Sequence, residues 1–165
     1  MYEFPASLKS QAMLILDDAK ERGLRITAAE SCTGGLLAAL FTEFAGSSAV
    51  FERGFVTYSN KSKSEMLGVP GDMIADYGAV SQPVAIAMAE GALEQSRANI
   101  SLSITGIAGP GGGTPLKPVG TVHLASAREN FAMAHIQLSL GDIGRSAIRL
   151  KTLEAALDLI QTRLT

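Results

Sequence analysis

A chain of 165 residues, 47% hydrophobic and 18% charged, encodes one folded domain and excludes disorder as its main state. A formal net charge of −2 and an aromatic content of 5% argue against a basic nucleic-acid clamp, a polybasic membrane binder and a stacking platform for single strands. Cys32 is the single cysteine, so an internal disulfide and a cysteine-built zinc site are excluded, and a reducing compartment is expected.

The first residues, MYEFPASLKSQ, lack the basic and apolar regions of a secretory signal, and no run of 18 apolar residues occurs. A cytoplasmic protein is expected. In residues 7–22, Leu8, Ala12, Ile15 and Ala19 recur at helical spacing, with Gly23 as the stop. Residues 24–30 (LRITAAE) read as an inner strand, and SCTGGLLAALFTEF as the helix that follows it at once. Residues 50–59 predict a strand, and 60–67 a short helix capped by Ser59 or Asn60.

Ser81 caps a helix over 81–98 with Pro83 in its first turn, and 100–105 is a strand. Residues 106–118 form a glycine-proline loop. Strands over 119–127 and 131–139 form a hairpin around Arg128–Asn130, and a helix covers 142–165. On that helix Leu150, Leu153, Leu157, Ile160 and Leu164 make one apolar stripe, which either packs on the sheet or forms the seam of a homodimer. The pattern predicts a single α/β domain over residues 1–165, with three α/β/α layers and a mixed, mostly parallel sheet.

Three segments carry residues suited to chemistry. In AAESCTGG (28–35) a strand meets a helix start at Ser31, Cys32 and Thr33. Unpaired amides there suit either a phosphate or a nucleophilic hydroxyl with an oxyanion hole; plain N-capping is the simpler role. Gly34 and Gly35 permit close approach of a ligand. Cys32 shares the helix start, which lowers a thiol pKa, but no histidine is placed beside it.

Lys61 and Lys63 flank the start of the next helix, and at most one of them reaches a given site. A lysine there is either solvated or, if partly buried, neutral enough to take a proton from a serine. The third segment, SITGIAGPGGG (103–113), puts Thr105 at the end of an apolar strand, before glycines at 106, 109, 111, 112 and 113. It is neither a Walker A loop nor a GxGxxG turn, yet its amides can cradle a phosphate. Arg145 and Arg149 are further candidates for a phosphate. His123 and His135 stand too far apart, with no cysteine near, to suggest a metal site.

The strings AESCTGG (29–35), GSSAVFERGFVTYSN (46–60), YGAVS (77–81), SITGIAGPGGGT (103–114) and KPVGTV (117–122) resemble the CinA C-terminal domain family, the nicotinamide-nucleotide amidohydrolases. The resemblance runs over residues 8–165 and corresponds to a stand-alone form. It implies a three-layer α/β/α fold and hydrolysis of nicotinamide mononucleotide to nicotinate mononucleotide and ammonia, without metal or organic cofactor. It places the nucleophile at Ser31, the tyrosine and lysine of YSNxxK at Tyr58 and Lys63, and the strand-end hydroxyl at Thr105.

From this follow a Ser–Lys mechanism with Tyr58 as proton relay, and an oxyanion held by amides after Ser31 and by the Thr105 loop. The substrate is expected against Cys32, Thr33, Gly34, Gly106, Gly109 and Gly111, its phosphate near Lys117 or Arg145. A non-catalytic nucleotide-binding module linked to competence or DNA damage is the alternative, and another small amide a further one.

Overall fold

The computed structural model describes residues 3–165. Helix α1 (Ala6–Glu21) buries Leu8, Ala12, Ile15, Leu16 and Ala19. It ends in a Schellman turn, in which the Gly23 N–H donates to the Lys20 carbonyl and the Leu24 N–H to that of Ala19. Strand β1 (Ile26–Glu30) is buried at every residue. A turn over 31–35 leads to α2 (Leu36–Phe41), and a 3₁₀ turn at Ser47–Ala49 to β2 (Phe51–Val56).

Helices α3 (Asn60–Leu67), α4 (Gly71–Tyr77) and α5 (Gln82–Glu94) then precede β3 (Ile100–Gly106). Strands β4 (Thr121–Arg128) and β5 (Ala134–Ser139) form a hairpin, and α6 (Arg145–Thr162) closes the chain. The five strands lie in the order β2-β1-β3-β4-β5. Strand β1 pairs in parallel with β2 and β3, while β3–β4 and β4–β5 are antiparallel. Only β4 runs against the other strands, so the sheet is mixed with mostly parallel strand directions, as expected.

One face is sealed by α1, α2 and α6 in a continuous cluster. The other is covered by α5, with Leu67 and Val69 packed beside it. Leu153, Leu157, Ile160 and Leu164 are all buried, and Leu150 is partly so. The stripe that offered a dimer seam is therefore spent within the chain.

Three expectations shift. The helix expected from Ser31 begins at Leu36, because Gly34 (φ 56°) and Gly35 (φ 101°) adopt left-handed backbone that keeps the chain in a turn. Helix α4 lacks a side-chain cap and was not predicted. Strand β5 starts three residues later than expected, after a turn in which the Phe131 N–H donates to the Arg128 carbonyl.

Packing of α5 on α3 needs a residue without a side chain: a Cβ at Gly91 would lie 1.9 Å from the Leu67 carbonyl oxygen. Gly91→Ala is expected to cost at least ~2 kcal/mol and to lower Tm by roughly 4–8 °C, read by thermal unfolding.

Candidate active site

The strand order makes a topological switch beside β1. From β1 the chain passes to β2 on one side, then crosses back to β3 on the other. Ligands of open α/β sheets bind at the carboxyl ends of such strands. Ser31 follows β1, Tyr58 follows β2, and Thr105 and Gly106 end β3. The turn after β1 is tied to β3 by the Ser31 N–H, which donates to the Ile104 carbonyl at 3.0 Å.

Helix α3 turns Lys63 into this edge. The Ser59 hydroxyl caps it by accepting from the Ser62 N–H. Lys63 is 1% exposed, and its Nζ donates to the Thr57 carbonyl at 2.9 Å and to Ser31 Oγ at 3.1 Å. Burial holds the Lys63 amine below the usual lysine range; the neighbouring Cys32 pulls weakly the other way. Lys61 instead faces solvent, 3.7 Å from Glu65.

Burial pushes the Cys32 thiol up to about 11, which reverses the lowering expected from a helix start. It is a protonated thiol near neutral pH, and a poor nucleophile there.

The helix amides are also otherwise engaged. The buried Glu30 carboxylate accepts from Leu37 N–H at 2.9 Å, Ala38 N–H at 3.1 Å and Thr33 Oγ1 at 2.7 Å. An anion already occupies the start of α2, so this helix end offers no place for a phosphate or an oxyanion. Glu30 stands inside the AESCTGG string, but a carboxylate closing an apolar strand gives no sign in sequence that it is buried.

A cavity of 260 Å³ opens over Ser31 and Lys63. Cys32, Tyr58, Thr105, Gly106, Gly109, Gly111 and Arg145 also line it. Asn60, and the wall segment Ala79–Val80, which sequence reasoning missed, line it too. The Thr105 hydroxyl donates to the Ala79 carbonyl at 2.9 Å and so fixes that wall.

Tyr58 is 62% exposed, and its hydroxyl accepts from Arg145 Nη2 at 2.9 Å; Arg145 Nη1 donates to the Gly109 carbonyl at 2.7 Å. The relay expected of Tyr58 thus meets a different geometry, since its hydroxyl is paired with a guanidinium rather than with Lys63. Thr33 is turned to Glu30. Gly34 lines an adjoining cavity with Arg149. Lys117 donates to the Tyr77 carbonyl and lines neither cavity.

Among the described residues, no three His, Cys, Asp or Glu side chains gather as a metal site. His123 and His135 meet across β4 and β5 with ring nitrogens 2.9 Å apart, and burial with mutual repulsion takes His123 down to about 4.

The family model of the CinA C-terminal domain matches residues 8–164. The chain is 58% identical over 108 residues to the nicotinamide-nucleotide amidohydrolase PncC of Escherichia coli, covering 66% of each chain. It is 59% identical over 107 residues to a CinA-like protein of Akkermansia muciniphila, covering 65% of this chain but 26% of that one. Among solved structures, a competence/damage inducible protein from Agrobacterium tumefaciens superposes with a TM-score of 0.96 at 50% identity, over 98% of both chains. A competence damage-inducible protein from Klebsiella pneumoniae gives 0.89 at 30% identity, over 95% of this chain and 96% of that one.

Proposed function

Because the chain belongs to the CinA C-terminal domain family, we propose that it hydrolyses the carboxamide of nicotinamide mononucleotide to nicotinate mononucleotide and ammonia, with Ser31 as nucleophile and Lys63 as its base. The observation that carries this reading is the 3.1 Å contact between the buried Lys63 Nζ and Ser31 Oγ. A neutral amine has two N–H bonds and one lone pair. One N–H donates to the Thr57 carbonyl, and in the neutral amine the lone pair accepts from the Ser31 hydroxyl, reversing the donation that a charged amine makes to Ser31 Oγ.

Ser31 Oγ attacks the amide carbon as its proton passes to Nζ. The tetrahedral intermediate collapses, and the lysine returns that proton to the departing nitrogen, which leaves as ammonia. Water, deprotonated by the same amine, then adds to the ester carbonyl; as the carbon–Oγ bond breaks, the lysine returns that proton to Ser31 Oγ, and the acid departs as its carboxylate with its proton lost to solvent.

Since Glu30 holds the first amides of α2, the oxyanion falls to backbone N–H groups of the Cys32–Thr33 turn and of the glycine loop at Ala108–Gly109. Arg145 clamps Tyr58 to Gly109 and so holds two sides of the cavity at a fixed separation.

A buried lysine against a hydroxyl, its pKa lowered by burial, favours the amidase over a purely nucleotide-binding module. Incubating the protein with nicotinamide mononucleotide and measuring ammonia separates the two: binding without ammonia supports the module. The base must be unprotonated, and its pKa is lowered by burial. kcat/KM is therefore expected to rise with pH up to that lowered pKa and to level off above it. A profile that is flat at every pH at which the protein stays folded would remove Lys63 as a titrating base.

A further inference from the structure

The chain holds two histidines, twelve residues apart, and the hairpin of β4 and β5 brings them together. His123 lies opposite Gln137 and His135 opposite Ala125, so the rings are diagonal neighbours on one face of the sheet. They stack at 25° with centroids 5.1 Å apart, and His123 Nδ1 stands 2.9 Å from His135 Nε2. Among the described residues neither imidazole is hydrogen-bonded to any group but the other, and no carboxylate acts on either.

A histidine held in a fold is ordinarily oriented by a carboxylate or a backbone carbonyl. Here each ring is oriented by the other. One of the two facing nitrogens carries the shared proton, and the other presents a lone pair. Burial holds both rings below the ordinary histidine range, so both are neutral at pH 7. Neutral imidazole is the form that binds a transition metal, and no proton has to be driven off. Lys117 opposes an added positive charge at His123; its Nζ already donates to the Tyr77 carbonyl.

The separation of the two nitrogens selects the ion. With metal–nitrogen bonds of about 2.0–2.1 Å, nitrogens 2.9 Å apart subtend an angle of about 90° at the metal. That is the cis angle of a square-planar or tetragonal ion. Tetrahedral zinc would hold them about 3.3 Å apart. Cupric ion combines the tetragonal preference with the greatest affinity for nitrogen ligands in the divalent series.

We propose that His123 Nδ1 and His135 Nε2 form a bidentate site for a tetragonal divalent metal ion, cupric ion before nickel, with water in its remaining equatorial positions. On binding, the proton between the rings moves to the outer nitrogen of the ring that carries it. Both ligands stay neutral, and the ion exchanges two of its waters for two nitrogens. Neither histidine lines the cavity over Ser31, so the inference is independent of the amidase reading.

The test titrates cupric chloride into the full chain and follows the histidine ring signals by NMR and the copper by electron paramagnetic resonance. Because the chain has two histidines, the ring spectrum holds two sets of signals. Both sets are expected to broaden together and to be lost by one equivalent of copper, with a tetragonal copper spectrum split by two nitrogens. Calorimetry is expected to show zinc binding ~10-fold or more weaker than copper. His123→Gln and His135→Gln, each lacking one ligand, are expected to bind copper ~10-fold or more weakly.

Broadening of one ring alone, or of neither, would overturn the site. So would a copper affinity unchanged in both variants, which would mark adventitious binding elsewhere on the chain. Zinc bound as tightly as copper would overturn the tetragonal geometry and the proposal with it. Should the variants not fold, the two ring signals of the wild type decide alone: joint loss at one equivalent upholds the site, and any other pattern overturns it.

Discussion

Ser31→Ala is expected to lower ammonia release from nicotinamide mononucleotide by ~10⁴-fold or more, with substrate affinity held within about twofold. Binding survives because the cavity is lined by many groups besides the Ser31 hydroxyl, among them Arg145, Thr105 and the glycine loop. Turnover stops because no neighbour can substitute. The adjacent Cys32 thiol is pushed up to about 11 by burial, so it is almost wholly protonated at neutral pH. Steady-state ammonia assays, paired with calorimetric binding of the mononucleotide, check both halves. Full activity in the variant would mean that water, or Cys32, attacks the amide directly.

Lys63→Ala and Lys63→Met are expected to reduce kcat by roughly 10²–10⁴-fold or more, whereas Lys61→Ala stays close to the wild type. The two lysines stand on the same short helix and differ only in where α3 aims them. Lys63 is 1% exposed against Ser31, while the Lys61 side chain is 85% exposed beside Glu65. The methionine variant keeps the volume of a fully buried side chain, so loss of activity with retained Tm assigns the defect to the amine and not to a cavity.

The same variant tests the proton linkage. In the unfolded chain the amine is charged below roughly pH 10.4, but in the fold burial disfavours that charge. The folded state therefore binds fewer protons, and this group's contribution to stability rises with pH from its lowered value up to the unfolded one. Urea unfolding at several pH values is expected to show that slope in the wild type and its loss in Lys63→Met.

Much of this architecture was legible in the residues. The spacing of Leu8, Ala12, Ile15 and Ala19, with Gly23 behind them, gave α1 and its stop. The short, β-branched and nearly uncharged LRITAAE segment gave an inner strand, and β1 is buried at every residue. What sequence hid was set by pairing between distant elements. Nothing local says that Glu30 folds back on the amides of Leu37 and Ala38 and so closes the helix end to anions. Nothing local joins Tyr58 to Arg145, or Arg149 to the carbonyls after Ser31, because those partners lie far apart along the chain.

The resemblance, and not the helical period, separated Lys63 from Lys61, since residues two apart both sit near the helix start. Helix α4 was missed because seven residues without a side-chain cap present no start signal and too short a period.

Catalysis here depends on an uncharged amine at position 63. The most direct measurement is a pH titration of the chain labelled with ¹³Cε-lysine, followed by NMR, with Lys63→Met to assign the resonance. One resonance that titrates below the other lysines, and is missing in the variant, is the predicted result. A Lys63 resonance that titrates together with the exposed lysines, near pH ~10.4, would contradict the account.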